Sequence, residues 1–312
     1  MIDILIPTYN RADFLKKNIL ILDRQIKEGD FGECVQIVVS DNRSDDNTWA
    51  VITDLKKNVN VKIKTFRQVD NIGLEPNALF LLKESQAEYV MYLGDDDYLP
   101  DGYLDFVVRT IKENNASCII PGFSKLFLDG SISPERYANF EIQRYDAGFD
   151  TVCKLSNFGH QLSGLIIRRE SLYEEYMKEE KYRNIYPFIF FVTYCMLRGV
   201  TYYAPKFQVL VSQNNSKAWR YDASGLLPDI FRNYSIAFSN DRKKIVRACL
   251  SFIKIQPWRL KVGERPVNAF RALTHLLKSK DVDSRIKITL IWLYPWLYIN
   301  AVVNKVKTSV SE

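Results

Sequence analysis

With 312 residues, the chain has room for one large α/β domain with an extension or for two domains, and 47% hydrophobic with 26% charged residues excludes a disordered chain. Five cysteines (Cys34, Cys118, Cys153, Cys195, Cys249), odd in number and without a CxxC pair, exclude a disulfide framework and a cysteine zinc site and point to a reducing cytoplasm. The net charge of +6 is uneven: acidic clusters lie in the N-terminal part, while 241–310 carries DRKKIVR, KIQPWRLK, LLKSKD and VNKVKTS, so an anionic partner is expected there. No recognition motif accompanies those cations, and the interleaved Trp and Tyr favour a membrane surface over nucleic acid.

In chain order, IDILI (2–6) is an apolar run ending at Pro7, with no basic n-region or small-residue cleavage site, so no secretory leader is expected. RADFLKKNILILDRQIKE (11–28) has helical spacing, and VQIVVSD (35–41) reads as a buried strand. SDDNTWAVITDLKKN (44–58) reads as a helix capped by Ser44 or Asp45, VKIKTFRQ (61–68) as a strand, and EPNALFLLKESQ (75–86) as a helix with Pro76 in its first turn. EYVMYL (88–93) is the next strand. This alternation predicts a parallel sheet whose ligand sits beyond the strand C-terminal ends. Three polar clusters fall at such ends and are expected to share one cleft: residues 7–11, 41–46 and 94–97. Neither GxGxxG nor GxxxxGK[ST] is present, which excludes a dinucleotide fingerprint and a P-loop.

The third cluster carries the most information. YVMYLGDDDYLP (89–100) sets Asp95, Asp96 and Asp97 side by side, an arrangement that is costly unless a cation compensates it. Carboxylate oxygens are what Mg²⁺ or Mn²⁺ prefers, with donor phosphates completing the coordination; an acidic, solvated turn is the competing reading. Downstream, LDFVVRTIKEN (104–114) is a helix, SCIIPGFSKLF (117–127) a strand, and 125–160 reads as irregular, punctuated by Gly130, Pro134 and Gly148. QLSGLIIRRESL (161–172) reads as a strand entering a helix, and YPFIFFVTYCMLRG (186–199) as a buried helix ending at Gly199. Strand signals fade beyond Asn215. That places a boundary near 215–225, between a catalytic region (1–215) and a helical, basic, aromatic region (216–312).

Taken together, ILIPTYNR, VVSDNRSDDNT, DNIGLEPNALFLLKESQAEYVMYLGDDDYLP and SGLIIRRESL resemble the family 2 glycosyltransferases, in order and over roughly residues 1–215. The resemblance implies a Rossmann-like A-type glycosyltransferase sheet with a C-terminal helical extension, a nucleoside diphosphate sugar donor, and a glycan or lipid-linked acceptor. It implies that Pro7, Thr8 and Tyr9 lie against the nucleobase, that Asp41 hydrogen-bonds the base with Arg43 adding a contact, and that Asn71 and Gly73 form the N-x-G segment with Asn77 nearby. A helix cap is the competing role for Asp41, and an exposed helix position that for Asn77. Asp95 is expected at the ribose and Asp96 on the metal, with Asp97 a second ligand or a partner behind it. Many family members carry an aspartate where this chain has Gly94.

The general base does not transfer. Where family members place an acidic pair at the start of the helix near 186, this chain has Tyr186, Pro187 and Phe188, a departure that resembles abequosyltransferase-like enzymes of O-antigen assembly. His160, Asp146 and Asp150 are the substitutes, alongside a retaining or base-independent mechanism. ITLIWLYPWLYINAVV (288–303) is too short to span a bilayer; with Trp292, Tyr294, Trp296 and Tyr298, flanked by Arg285, Lys287, Lys305 and Lys307, it reads as an interfacial anchor or as a helix packed on the domain or in a homodimer. The expected protein is therefore a cytoplasmic, membrane-associated, metal-dependent glycosyltransferase. Its competitors are a catalytically silent sugar-nucleotide or glycan-binding protein and a sugar nucleotidyltransferase.

Overall fold

Alternation along the first strands decides the layers. In β1 (Ile2–Thr8) and β2 (Val35–Asp41), Ile4, Ile6, Ile37 and Val39 face one side of the sheet while Leu5 and Val38 face the other, and both sides are buried. The first face is covered by α1 (Ala12–Glu28), α2 (Thr48–Asn58) and α4 (Tyr103–Asn114), the second by α3 (Leu74–Glu84) and later helices. The computed structural model describes residues 1–133, 140–213, 226–239, 241–262 and 264–310, with side chains omitted at 182 and 302–310. Pro134, Lys305, Lys307 and the expected boundary at 215–225 thus fall outside what is described.

The remaining strands are β3 (Ile63–Arg67), β4 (Tyr89–Tyr92), β5 (Cys118–Leu126), β6 (Gln143–Tyr145), β7 (Ile166–Arg168) and β8 (Thr201–Ser212), arranged β3-β2-β1-β4-β7-β5-β8-β6. The first four are parallel as expected, but the sheet as a whole is mixed. β7 runs antiparallel to both β4 and β5, and β6 runs antiparallel to β8 at the edge. The segment expected to be irregular contains β6 and α5 (Phe149–Leu155), and this excursion returns the chain into the sheet in the opposite direction.

One expected boundary moves. The second helix starts at Thr48, four residues after Ser44, because Asp41 Oδ1 accepts from Ser44 N at 3.0 Å and Asn10 Oδ1 accepts from Asp45 N at 2.9 Å, which hold 44–46 in the loop. After α6 (Leu172–Met177), α7 (Pro187–Met196) is buried along all ten residues, as an all-apolar helix must be. On it sits α8 (Leu227–Phe238), followed by α9 (Arg242–Ile255), α10 (Pro266–Lys278) and α11 (Ser284–Val310). Leu227, Phe231, Phe252 and Leu290 belong to the same core cluster as Val90 and Tyr92 of β4, so the C-terminal helices share the catalytic region's core.

Candidate active site

The three polar loops meet, and their side chains tie them together. From the β1 loop, Thr8 Oγ1 donates to Asp95 Oδ2 at 2.7 Å, Asn10 N to Ser44 Oγ at 2.9 Å and Arg11 N to Thr48 Oγ1 at 2.9 Å. Asn42 N continues the β1–β2 ladder onto Thr8 O at 2.9 Å. Asn10 and Arg43 both adopt left-handed backbone, φ 54° and 65°. For Arg43 that conformation is uncommon, and it leaves the side chain exposed at the loop surface. Pro7 is buried in the sheet, while Tyr9 is half-exposed beside it.

Asp41 is fully buried at the end of β2. Its Oδ1 accepts from Ser44 N, its Oδ2 lies 3.2 Å from Arg67 Nε, and Oδ2 has no hydrogen-bond donor. Oδ2, positioned by the guanidinium, keeps acceptor capacity for one more N–H but is closed off from solvent in this conformation. Turn capping thus occupies Oδ1 and leaves Oδ2 without a hydrogen-bond donor. Arg67 also stacks its guanidinium on Trp49, 5.4 Å from the ring centroid, and was not legible as part of the site because it lies in β3 with no motif around it.

Asn42 is a second residue missed by motif. It is buried, its Nδ2 donates to Asn71 Oδ1 at 2.9 Å and to Gly73 O at 3.2 Å, and its Oδ1 accepts from Ile72 N at 3.0 Å, so one side chain shapes the whole N-x-G segment. Asn71 spends Oδ1 on that contact and on Gly73 N at 3.0 Å. Gly73, at φ 91°, provides the backbone that starts α3. Asn77 is neither an exposed helix residue nor open to the cleft: it is buried, accepts from Ser40 Oγ at 2.6 Å and donates to Ser40 O at 3.1 Å, pinning α3 to β2. Nucleotide contact through Asn77 is corrected to a packing role.

The three aspartates divide sharply. Asp97 turns inward: Oδ1 accepts from Ser212 N at 2.9 Å, Oδ2 accepts from Ser163 Oγ, and Ser163 Oγ in turn accepts from Gly94 N at 2.9 Å. Asn18, on the buried face of α1, donates to Gly94 O at 2.9 Å and Asp97 O at 2.8 Å. A Cβ at position 94 would lie 2.9 Å from Asp97 Oδ2, so the glycine found here in place of the family's usual aspartate makes room for that inward carboxylate. Metal ligation by Asp97 is thereby corrected to a positioning role, with both oxygens engaged inside the protein.

Asp95 is 13% exposed and sits 4.0 Å from Arg11 Nε. Burial, and then the charge of Asp96, push its carboxyl up to about 7. Such a raised value signals negative charge that the protein's own cations compensate only partly. Hard oxygens at Asp95 and Asp96 fit a divalent cation. Among the described residues, no cluster of three or more His, Cys, Asp or Glu side chains is arranged around a metal, so such an ion would need further oxygens from a bound donor.

None of the expected bases faces this loop in a usable state. His160 Nδ1 lies 2.6 Å from Asn157 O and 2.9 Å from Gln256 Nε2, against the C-terminal region; burial, with Arg259 nearby, pulls its pKa down to about 4. A histidine so disfavoured as imidazolium is a poor proton acceptor, and the base role for His160 is corrected to a packing one. Asp146 pairs with Arg144 at 2.7 Å and Asp150 with Arg247 at 2.9 Å, both on the surface. Tyr186 and Phe188 are buried at the start of α7. An open cleft of about 620 Å³ instead runs from Gly73 and Glu75 to Glu180, Arg183 and Asn184 on the loop before α7. Arg183 grips Glu75 with both nitrogens, Nε at 2.9 Å and a terminal nitrogen at 2.7 Å.

Comparison with known proteins gives the family and the fold. The profile of glycosyl transferase family 2 matches residues 3–177, more than half of the chain. The chain is 31% identical over 135 residues to a GalNAc(5)-diNAcBac-PP-undecaprenol beta-1,3-glucosyltransferase of Campylobacter jejuni, covering 43% of this chain and 41% of that protein. It is 32% identical over 116 residues to abequosyltransferase RfbV of Salmonella typhimurium, covering 37% and 34%. These matches span about two-fifths or less of the relatives' own length. Among solved structures, S. aureus TarS 1-349 in complex with UDP-GlcNAc superposes with a TM-score of 0.65 at 14% identity, covering 96% of this chain and 89% of that one. At that identity the likeness establishes the fold, an A-type glycosyltransferase sheet with helices following it.

Proposed function

The chain belongs to glycosyl transferase family 2, and we propose that it moves a sugar from a nucleoside diphosphate sugar to a glycan or lipid-linked glycan acceptor in surface polysaccharide synthesis, assisted by Mg²⁺ or Mn²⁺. The observation that carries this reading is the cross-bonded rim: Thr8 on Asp95, Asn10 on Ser44 and Asn42 on the N-x-G segment, with Asp96 beside them. The names of the curated relatives, a glucosyltransferase on a lipid diphosphate and an abequosyltransferase, support the substrate classes.

In the proposed reaction the base of the donor lies against Pro7, Thr8 and Tyr9 and donates an N–H to Asp41 Oδ2, which Arg67 positions. Arg43, exposed on the same loop, adds a contact to the nucleotide. Asn71 and Gly73 supply the backbone wall, their shape maintained by Asn42. Asp95 is placed to accept from the ribose, and Asp96, with Asp95, would hold the divalent ion. Such an ion neutralises charge on a departing nucleoside diphosphate. The bond from the anomeric carbon to the diphosphate oxygen breaks, with its electron pair leaving on the diphosphate. An acceptor hydroxyl oxygen forms the new bond and releases its proton to solvent water, with no protein base assigned. We assign the acceptor to the cleft between Gly73 and Arg183, where Glu75 and Glu180 are the lining carboxylates.

A second reading is favoured by one observation: the start of α7 holds buried Tyr186 and Phe188 in place of an acidic pair. In that case the chain binds a sugar nucleotide without turning it over. A panel of sugar nucleotides with Mn²⁺ and membrane extract separates the two. Release of nucleoside diphosphate that depends on acceptor and is lost in Asp96→Ala supports transfer; binding without release supports the second reading.

A further inference from the structure

Helix α11 is apolar on opposite faces. Val282, just before it, and Ile286, Leu290, Tyr294 and Leu297 pack into the core, and the Tyr294 and Tyr298 hydroxyls donate to Leu260 O at 3.2 Å and Glu264 O at 3.3 Å. These two tyrosines therefore face inward, correcting the expectation that they sit at a headgroup boundary. On the other side, Ile288, Trp292, Trp296 and Ile299 recur every three to four residues, with Ile291 beside Trp292, and all five are exposed, Trp292 by 79% and Trp296 by 58%. Phe270 on α10 is exposed by 66%, and Trp258 on the turn before α10 is exposed as well. Two exposed tryptophans on one helical stripe exceed the scattered apolar residues of an ordinary surface.

We propose that this outer face of α11, with the exposed side chains of α10, is a docking surface for an anionic phospholipid bilayer. Charge selects that occupant. Residues 254–301 contain nine Lys and Arg, eight of them at least part-exposed and Arg259 buried, against three Asp and Glu, and all three acids are held in ion pairs: Glu264 with Lys261 at 3.2 Å, Asp281 with Arg232 at 2.7 Å, and Asp283 with Arg242. A second copy meeting this face would bring two such cationic fields together, whereas an anionic lipid surface complements them. Among the described residues, no helix is long and apolar enough to cross a membrane. The helix therefore lies along the interface, its tryptophans in the boundary and its cations at the headgroups. This inference goes beyond glycosyl transfer and stands or falls separately from it, because its test reads vesicle binding in the absence of any sugar nucleotide.

The experiment is co-sedimentation of the full chain with phosphatidylcholine vesicles, with and without phosphatidylglycerol. Binding at least about tenfold tighter to the anionic vesicles, weakening as salt rises, is expected. Trp292→Ser with Trp296→Ser removes it while the melting temperature stays unchanged, since both side chains are exposed. Arg271→Gln with Arg285→Gln, also at exposed positions, weakens it by about 30-fold, and this pair carries the test if the tryptophan variant fails to fold. Equal binding to neutral and anionic vesicles, or none to either, overturns the proposal. So does a dimer in solution that the tryptophan variant dissociates, which would show that a second copy covers the face.

Discussion

The two sides of the cleft are built by different physics. On the donor side, polar groups from the strand ends and the N-x-G segment bond one another at 2.7 to 3.2 Å. On the side toward α7 the cleft is lined by Leu74, Glu75, Glu180, Arg183, Asn184 and Ile185, its polar character coming from the Glu75–Arg183 clamp, which joins residues 108 apart, while Tyr186, Phe188, Phe190 and Phe191 pack in the core behind it. A hydrogen-bonded site recognises one ligand geometry, whereas an open cleft whose polar groups are few and centred on one part-exposed ion pair imposes less on the shape of an acceptor. Family membership therefore informs the donor half more than the acceptor half.

Substitutions separate the halves, beginning with the largest effect. Asp96→Ala should lower kcat/KM by about 10³-fold, the scale of removing a group that stabilises developing charge, with the melting temperature unchanged. Steady-state kinetics with saturating Mn²⁺ and a thermal melt read both. Asp97→Ala should do the reverse in part, costing about 3 kcal/mol of stability because Ser163 Oγ and Ser212 N lose a charged acceptor. Urea unfolding measures it, and a loss of activity without a loss of stability would return Asp97 to the metal.

Next in size is a pH effect. The His160 pKa is about 4 when folded and near its ordinary 6.5 when unfolded, so between those values the unfolded chain binds the extra proton and stability falls as pH falls. About 2 kcal/mol should be lost between pH 7 and pH 5, and His160→Gln should flatten that part of the profile. Thr8→Val removes a hydrogen bond to a carboxylate and should raise the donor KM by about tenfold with little change in the acceptor KM. Glu75→Gln should show the opposite split: a several-fold rise in the acceptor KM alone, on the order of 1 kcal/mol for loosening a part-exposed ion pair. Equal effects of the last two variants on both substrates would erase the distinction between the halves.

The donor half was largely legible. Strand and helix periods placed the three clusters at the ends of β1, β2 and β4, and the rule that ligands sit beyond such ends brought them together. What local pattern does not encode is direction and long-range pairing. Asp95, Asp96 and Asp97 are identical letters, and only Ser163 and Ser212, 66 and 115 residues away, decide that the third turns inward. Gly94 was the visible trace of that choice, as a departure from the family pattern. His160 looked available because nothing near it shows that Gln256 and Arg259 close over it. The alternation of strands and helices reaches only to β4, so it carries no information on β7, which enters antiparallel between β4 and β5, or on β5 and β8, which pair parallel. In α11, the spacing of Trp292 and Trp296 against Tyr294 already placed them on different faces, and only the packing shows which face is inside.

The convergence of three loops on one nucleotide-sugar site is tested most directly by titration calorimetry of nucleoside diphosphates into the purified chain, with Mn²⁺ and with chelator. The predicted result is one binding site that requires the metal and is lost in Asp96→Ala while Asp97→Asn retains it. Binding indifferent to metal and to Asp96, or no binding of any nucleoside diphosphate, would contradict it.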